Sequence, residues 1–243
     1  MPTAILVDGG YFLKRYRAVM PGTRNRDPQR VAKDLFTWAL LHLDDKDCGR
    51  RDLYRIFYYD CPPITKKAHH PLTKRAIDFS RTPEAQFRVA LHRELIKLRK
   101  VALRLGRLSD FSLWAVRPDR LKQLLAGEIE VADLAEADVF YEVRQKGVDM
   151  RIGLDIASLA FKRQVDQIIL FAGDSDFVPA AKLARREGID FILDPMWGSL
   201  PEDLHEHIDG LRTTCPRPPT RAVLDRTTPS PASGDTGDAA VKK

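Results

Sequence analysis

The stretch QIILFAGDSDFVPAAKLARREG, residues 167–188, decides the fold expected for this 243-residue chain. Its apolar run, residues 167–172, predicts a strand that is buried on both faces, as in a parallel sheet covered by helices. A helix is predicted directly after it at residues 177–187, with Pro179 in the first turn and Gly188 at the end. A buried strand that leads into a helix is the repeating unit of α/β folds.

The same alternation extends in both directions along the chain. Further buried strands are predicted at residues 4–7, 53–59 and 190–193. Further helices are predicted from Asp27-Pro28, with Asp27 as the N-cap, and at residues 149–162 and 202–211. We therefore predict an α/β fold with a mainly parallel sheet.

Two segments depart from this alternation. Residues 62–137 are predicted to be a helical insertion, with its main helix at 84–105, a strand at 111–116 and a short helix at 121–125. Residues 213–243 contain five prolines and almost no apolar side chains, which predicts a disordered tail. The expected domain therefore spans residues 1–212.

Positive charge is concentrated in the predicted insertion. The whole chain has a formal net charge of +6, and residues 62–100 hold ten Lys or Arg against three acids, a net of +7. Arg88, Arg93 and Lys97 recur along one side of the predicted helix, which makes them candidate contacts to a phosphate backbone. The alternative for each of these residues is a solvated helix face.

Cysteine usage and hydropathy suggest the compartment. Cys48, Cys61 and Cys215 are isolated from one another, which is typical of free thiols rather than of a disulfide framework or a zinc site. The first residues lack the features of a signal peptide, and no apolar run approaches the roughly 20 residues of a membrane span. We expect a cytoplasmic protein without a membrane partner.

Four aspartates stand out because of where they follow predicted strands and turns. Asp8 follows the first strand, Asp174 and Asp176 follow the strand at 167–172, and Asp149 begins a helix after Gly147. In an open parallel sheet, the ligand site lies beyond the carboxyl ends of the strands. Each of these aspartates could instead be only a helix N-cap.

The four aspartates together predict a metal site. Carboxylates that converge repel one another unless a cation neutralises them, and oxygen ligands favour Mg²⁺ or Mn²⁺ over zinc. A carboxylate-bound Mg²⁺ can bind phosphate oxygens and activate water. Asp155, six residues after Asp149, is a second-tier ligand because it points about 120° away on an ideal helix.

Three segments together resemble the NYN-domain proteins, the LabA-like branch of the PIN-like nucleases. They are AILVDGGYF from Ala4, KGVDMRIGLDIASLA from Lys146 and LFAGDSDFVPAAKLARREG from Leu170. The resemblance implies a PIN-like three-layer α/β/α sandwich and metal-dependent cleavage of RNA. The acidic residues of the family then fall on Asp8, Asp149, Asp174 and Asp176.

Substrate contacts are expected beside these acids. Many family members have Asn in a DGxN opening, where this chain has Gly10 followed by Tyr11, so the substrate contacts differ there. Tyr11 is a candidate for stacking on a base, although an aromatic residue at this place more often packs on the first helix. The other candidates near the acids are Lys14, Arg15, Lys146 and Ser175. The expected partner is single-stranded RNA, and an apolar surface of the insertion is a candidate contact for a homodimer.

Other functions were weighed against the nuclease hypothesis. A phosphatase of the haloacid dehalogenase type needs its DxD pair at the first strand, whereas DSD comes late here. A dinucleotide-binding protein needs a GxGxxG turn after a strand, and none follows a predicted strand. His205 and His207 are two residues apart on a predicted helix and are interpreted as surface residues. The alternative that stays open is a non-catalytic or regulatory RNA-binding module of the same fold.

Overall fold

The structure is a computed structural model that describes residues 2–22, 27–45, 49–108, 113–143 and 145–219. Its centre is a six-stranded sheet in which every neighbouring pair of strands is parallel. Helices cover both faces of this sheet, which confirms the predicted α/β/α sandwich. In the described part of the chain, no helix is both long enough and apolar enough to span a membrane.

The central sheet has the order β14-β13-β12-β1-β4-β7. Its strands are β1 (Pro2–Asp8), β4 (Asp52–Asp60), β7 (Val101–Leu105), β12 (Gln167–Phe171), β13 (Asp190–Asp194) and β14 (Gly210–Leu211). The remaining strands form four two-stranded antiparallel pairs: β2 (Asp44–Asp45) with β3 (Gly49–Arg50), β5 (Lys67–His69) with β6 (Ala76–Asp78), β8 (Arg107–Leu108) with β11 (Gln145–Lys146), and β9 (Leu113–Val116) with β10 (Val139–Glu142).

The α-helices differ in length and in how they begin. They are α1 (Gly9–Val19), α2 (Pro28–Leu41), α3 (Pro83–Ile96), α4 (Pro118–Leu125), α5 (Val148–Phe161), α6 (Val178–Arg186) and α7 (Glu202–His205). The Asp27 side chain caps α2 and Pro28 occupies its first turn, as the sequence predicts.

The sheet separates two apolar cores because successive side chains of a strand point to opposite faces. In β1, Ala4 and Leu6 pack into the core under α5 and α6, whereas Ile5 and Val7 pack into the core under α1, α2 and α3. All four side chains are 0% exposed. This explains why the opening strand is an uninterrupted apolar run.

Within the insertion predicted at residues 62–137, the predicted extent of the main helix is wrong. The helix predicted at 84–105 ends at Ile96, and Val101–Leu105 is instead β7, the edge strand that pairs with β4. Helix α3 packs beside α2 in the outer layer, so both elements belong to the sandwich. Lys100, with φ +63°, lies at the turn between them. The apolar spacing of the helix continued by chance into the strand, and periodicity alone could not separate the two.

Two predictions about the C-terminal part are also wrong. Helix α7 ends at His205 rather than at residue 211, and Gly210–Leu211 is strand β14. The first residues of the predicted disordered tail pack on the domain: the Thr214 hydroxyl donates to the Trp38 carbonyl at 2.9 Å, and Cys215 is buried. The rest of the predicted tail, and residues 111–112 of the strand predicted at 111–116, lie outside the described residues.

Candidate functional site

The carboxyl ends of β1 and β12 meet at the point where the order of the sheet reverses. From β1 the chain continues to β4 and β7 on one side, and later to β12, β13 and β14 on the other. Strand β1 ends at Asp8, and Asp174 comes three residues after β12. In open parallel sheets this switch point is where ligands bind.

Asp8 occupies the end of β1 and the start of α1 at once. Its Oδ1 accepts a hydrogen bond of 3.1 Å from the Tyr11 backbone N–H, so the carboxylate caps the helix. Burial, together with the negative charge of Asp149, raises the pKa of Asp8 to about 6. Gly9 lets the helix start this close to β4, because a Cβ there would lie 2.6 Å from the Tyr59 carbonyl oxygen.

Asp149 lies in the first turn of α5, just after Gly147 in a left-handed conformation with φ +78°. Desolvation is the largest cause of its raised pKa, and the charges of Asp174 and Asp176 add to it. Because Asp149 also raises the pKa of Asp8, one electrostatic cluster links all four aspartates.

Asp174 and Asp176 belong to a single 3₁₀ turn, Ser175–Phe177, that leads into α6. The Oδ1 of Asp174 accepts a hydrogen bond of 3.1 Å from the Asp176 backbone N–H. Ser175 between them donates its hydroxyl to Asp203 at 2.8 Å. Asp8 and Asp174 are therefore both helix caps and members of the cluster, so capping and clustering are not alternatives at these positions.

The cluster has no counter-charge from the protein within the described residues. No Lys, Arg or His of the described part of the chain forms an ion pair with Asp8, Asp149, Asp174 or Asp176. Among the same residues, no three His, Cys, Asp or Glu side chains are grouped closely enough to hold a metal ion. The four aspartates are thus not arranged as a preformed group of three metal ligands in the described part of the chain.

Two further aspartates at the same edge are neutralised, and the sequence analysis did not identify their role. Asp60 ends β4 and is 0% exposed; Arg88 and His92 bind its two oxygens at 2.5 and 2.9 Å. Asp194 ends β13, is 0% exposed and binds His42 at 2.8 Å. An aspartate at the end of an apolar strand is the only signal in the sequence, and it is the same signal that marks Asp8.

Asp155, the second-tier ligand, lies away from the cluster. Its carboxylate accepts a hydrogen bond of 2.7 Å from the Tyr59 hydroxyl and forms an ion pair of 3.1 Å with Arg104. Both partners come from the flank of the sheet towards β7. These bonds assign Asp155 to the packing of α5 on the sheet.

Two of the candidate substrate contacts beside the acids are used within the fold. The Tyr11 hydroxyl donates to the Pro195 carbonyl at 2.7 Å, and its ring lies where a side chain on residue 173 would be. The Arg15 guanidinium donates twice to the Met196 carbonyl, at 3.0 and 2.9 Å. Tyr11 and Arg15 therefore join α1 to the loop after β13. Lys14 is exposed on α1, which leaves its ammonium accessible to a ligand.

The other basic candidates differ in their surroundings. Lys146 lies in β11, opposite Arg107, next to the glycine that starts α5. Arg88 is occupied by Asp60 and Glu84, which corrects its interpretation as a free phosphate contact. Arg93 is exposed on α3, and Lys97 pairs with Glu94 at 2.6 Å at the end of α3 remote from Asp60.

The chain is similar to known proteins over part of its length. Residues 118–206 match the model of the NYN domain family. The predicted NYN resemblance is confirmed. The NYN match spans α4 to α7 and includes Asp149, Asp174 and Asp176, whereas Asp8 precedes it. It is consistent with the PIN-like fold and with a nuclease-type domain, and the LabA-like subtype stays a prediction.

Curated proteins and solved structures add less to this assignment than the NYN match does. The comparison with curated proteins gave no match. Among solved structures, a protein of unknown function from Vibrio parahaemolyticus is similar, with 15% sequence identity and a TM-score of 0.44. The alignment covers 86% of this chain and 90% of that one.

Proposed function

We propose that this chain is a metal-dependent ribonuclease, and that Asp8, Asp149, Asp174 and Asp176 hold its Mg²⁺ or Mn²⁺. The observation that carries the proposal is the uncompensated negative charge at the switch point of the sheet. There, burial and neighbouring carboxylates raise the pKa of Asp8 and of Asp149, and no Lys, Arg or His among the described residues forms an ion pair with the four aspartates. The nuclease-type fold of NYN domains supports the same reaction class.

The donor set fits a hard divalent cation. All four side chains offer carboxylate oxygens, the ligands that Mg²⁺ prefers, and the cluster contains neither His nor Cys. The raised pKa values of Asp8 and Asp149 mean that their charged forms are costly in this environment, and a cation would remove that cost. When bound, the ion supplies a charge that activates water and stabilises the phosphoryl oxygens.

The protein's own residues position the metal-binding carboxylates and the substrate. The backbone N–H of Tyr11 holds one oxygen of Asp8, and the backbone N–H of Asp176 holds one oxygen of Asp174. These hydrogen bonds tie each carboxylate to the backbone of the turn that follows it. Lys14, exposed on α1 near Asp8, is the residue beside the cluster that we assign to the phosphate backbone of the substrate.

Cleavage of labelled single-stranded RNA tests the proposal. Purified protein is incubated with RNA in Mg²⁺, in Mn²⁺ and in EDTA, alongside the Asp8→Asn variant. The matched control is Asp52→Asn, which removes an exposed aspartate at the opposite end of β4. We expect cleavage that needs the metal, is lost in Asp8→Asn and persists in Asp52→Asn.

The same assay separates the enzyme from a regulatory RNA-binding module. If no metal supports cleavage while the protein still retains RNA on a filter, the ribonuclease proposal fails and the binding module replaces it. Cleavage that continues in Asp8→Asn would instead remove Asp8 from the site.

A further inference from the structure

The loop that follows β13 is held in an unusual backbone conformation. Met196 and Trp197 are consecutive non-glycine residues with φ of +46° and +61°. Residues other than glycine rarely adopt this region, and such strain persists only where the surroundings enforce it, often at functional sites. Here the Asp194 carboxylate accepts a hydrogen bond of 2.8 Å from the Met196 N–H, and Met196 is 0% exposed.

The loop is fastened to the helix that carries Asp8. The Tyr11 hydroxyl and the Arg15 guanidinium donate to the carbonyls of residues 195 and 196, and the Tyr11 N–H binds Asp8. Gly198 permits this contact, because a Cβ on residue 198 would lie 2.4 Å from the Tyr11 hydroxyl oxygen. The strained loop and the acidic cluster therefore share one edge of the sheet.

The strained backbone presents an indole to solvent in a fixed orientation. Trp197 is 45% exposed, although its Nε1–H donates to the Cys215 carbonyl at 3.0 Å. The Arg217 guanidinium carbon lies 5.4 Å from the centre of the indole ring. The polar edge of the ring is thus satisfied, and the arginine lies over one face of a ring that stays 45% exposed.

The other two tryptophans of the chain are used in packing. Trp38 is 6% exposed in the core under α1 and α2. Trp114 packs against His70, Phe79 and Tyr141, with ring centres 4.8, 6.4 and 5.2 Å away. Trp197 is the one that is both exposed and joined to the edge with the acidic cluster.

We propose that Trp197 is a stacking platform for a base of single-stranded nucleic acid, with Arg217 as the second layer of the stack. Proteins that bind single strands combine aromatic faces with cationic side chains in this way. A preorganised ring loses little conformational freedom on binding, which favours stacking. The inference rests on the proposed function for the class of ligand, and it assigns to Trp197 the role that the sequence suggested for Tyr11.

The test measures binding in EDTA, so that it does not depend on cleavage. The probes are a labelled oligoadenylate and, as a ligand without bases, inorganic polyphosphate. The variants are Trp197→Ala, Trp197→Phe and the matched control Phe140→Ala, which removes an aromatic side chain that is 38% exposed on β10. Thermal unfolding of each variant shows that it is folded.

We expect Trp197→Ala to weaken oligoadenylate binding by about 5- to 150-fold, the range measured for losing one stacked base. Trp197→Phe should recover part of the loss, whereas Phe140→Ala and polyphosphate binding should be unchanged. Oligoadenylate should also quench the tryptophan fluorescence of the wild-type protein but not of Trp197→Phe. That last comparison decides the question even if Trp197→Ala does not fold.

The results that would overturn the stacking platform differ from those that would overturn the ribonuclease proposal. Oligoadenylate binding that is equal in the wild type and in Trp197→Ala, or no binding by the wild type, overturns the platform. A platform confirmed by binding and quenching, in a protein that never cleaves RNA with Mg²⁺ or Mn²⁺, overturns the ribonuclease alone. An exposed tryptophan that instead contacts another protein would bind neither probe through its ring.

Discussion

Two sets of aspartates lie at the carboxyl edge of the same sheet and differ in burial and in the partners of their carboxylates. Asp60 and Asp194 end β4 and β13, are fully buried and each contact histidine, with Arg88 added at Asp60. Asp8 and Asp174 follow the two strands between them, β1 and β12, and form no ion pair with a described residue. Three of the four end their strands and Asp174 follows its strand by three residues; the paired aspartates are buried, whereas Asp8 is half-buried and Asp174 is exposed.

This difference shows what each set contributes. For a buried aspartate that is bonded to a partner, removing one of the two groups is costly, because the other is left buried without its partner. Burial and neighbouring negative charge raise the pKa of Asp8, so its charged form is costly until an external cation arrives. We therefore assign the paired set, Asp60 and Asp194, to the structure of the sheet edge. We assign the unpaired set, Asp8 and Asp174, to function.

The largest expected effect is on the paired set. Asp60→Asn removes the buried carboxylate charge that pairs with Arg88. Breaking such a buried pair costs about 3–5 kcal/mol of unfolding free energy. Urea denaturation followed by circular dichroism measures this cost. The matched control is Asp44→Asn, whose ion pair with Arg50 is exposed and should cost less than about 1 kcal/mol. Equal effects of the two substitutions would remove the distinction between the sets.

The second-largest effect is expected on the rate of RNA cleavage, when Asp174 of the unpaired set is substituted. Asp174→Asn should lower the rate of RNA cleavage by about 100-fold or more, since losing a residue merely behind a metal ligand already costs 10- to 100-fold. Its unfolding free energy should change by less than about 0.5 kcal/mol, because Asn caps a helix as well as Asp does. Single-turnover kinetics and urea denaturation provide the two values. Unchanged cleavage would mean that Asp174 is not a ligand.

The smallest effect is a pH dependence that follows from Asp8 of the unpaired set. The pKa of Asp8 is about 6 in the folded protein against an ordinary value of 3.8. A raised pKa contributes stability that is complete below about pH 4 and is lost as the pH rises through 6. In metal-free protein, Asp8→Asn should therefore increase the unfolding free energy by about 1–3 kcal/mol at pH 7.5.

Denaturation of both proteins at pH 4 and at pH 7.5 checks this prediction. The gain from Asp8→Asn should disappear at pH 4, where Asp8 is protonated in the native state. Added Mg²⁺ should stabilise the wild type at pH 7.5 and stabilise Asp8→Asn less. A gain of the same size at both values of pH would show that the charge of Asp8 is not its cause.

Local patterns predicted the elements around the unpaired set well. The strands that carry Asp8 and Asp174 are short apolar runs, and glycines or a cap follow each of them directly. The N-cap at Asp27 and the parallel sheet were also readable, because both depend on neighbouring residues. Residues 101–105 could not be separated from a helix in the same way, since their apolar spacing fits both structures and only pairing with β4 decides between them.

By itself, the sequence determined the α/β sandwich and the aspartates at the ends of its strands, since apolar runs, caps and turns are properties of adjacent residues. Only the tertiary structure decided which aspartates keep an unbalanced charge. Arg88 reaches Asp60 from 28 residues away, and His42 reaches Asp194 from 152 residues away. It also decided that Tyr11 is used in packing while Trp197 faces solvent. The reason is physical: charge balance and exposure depend on neighbours in space, and folding alone brings those neighbours together.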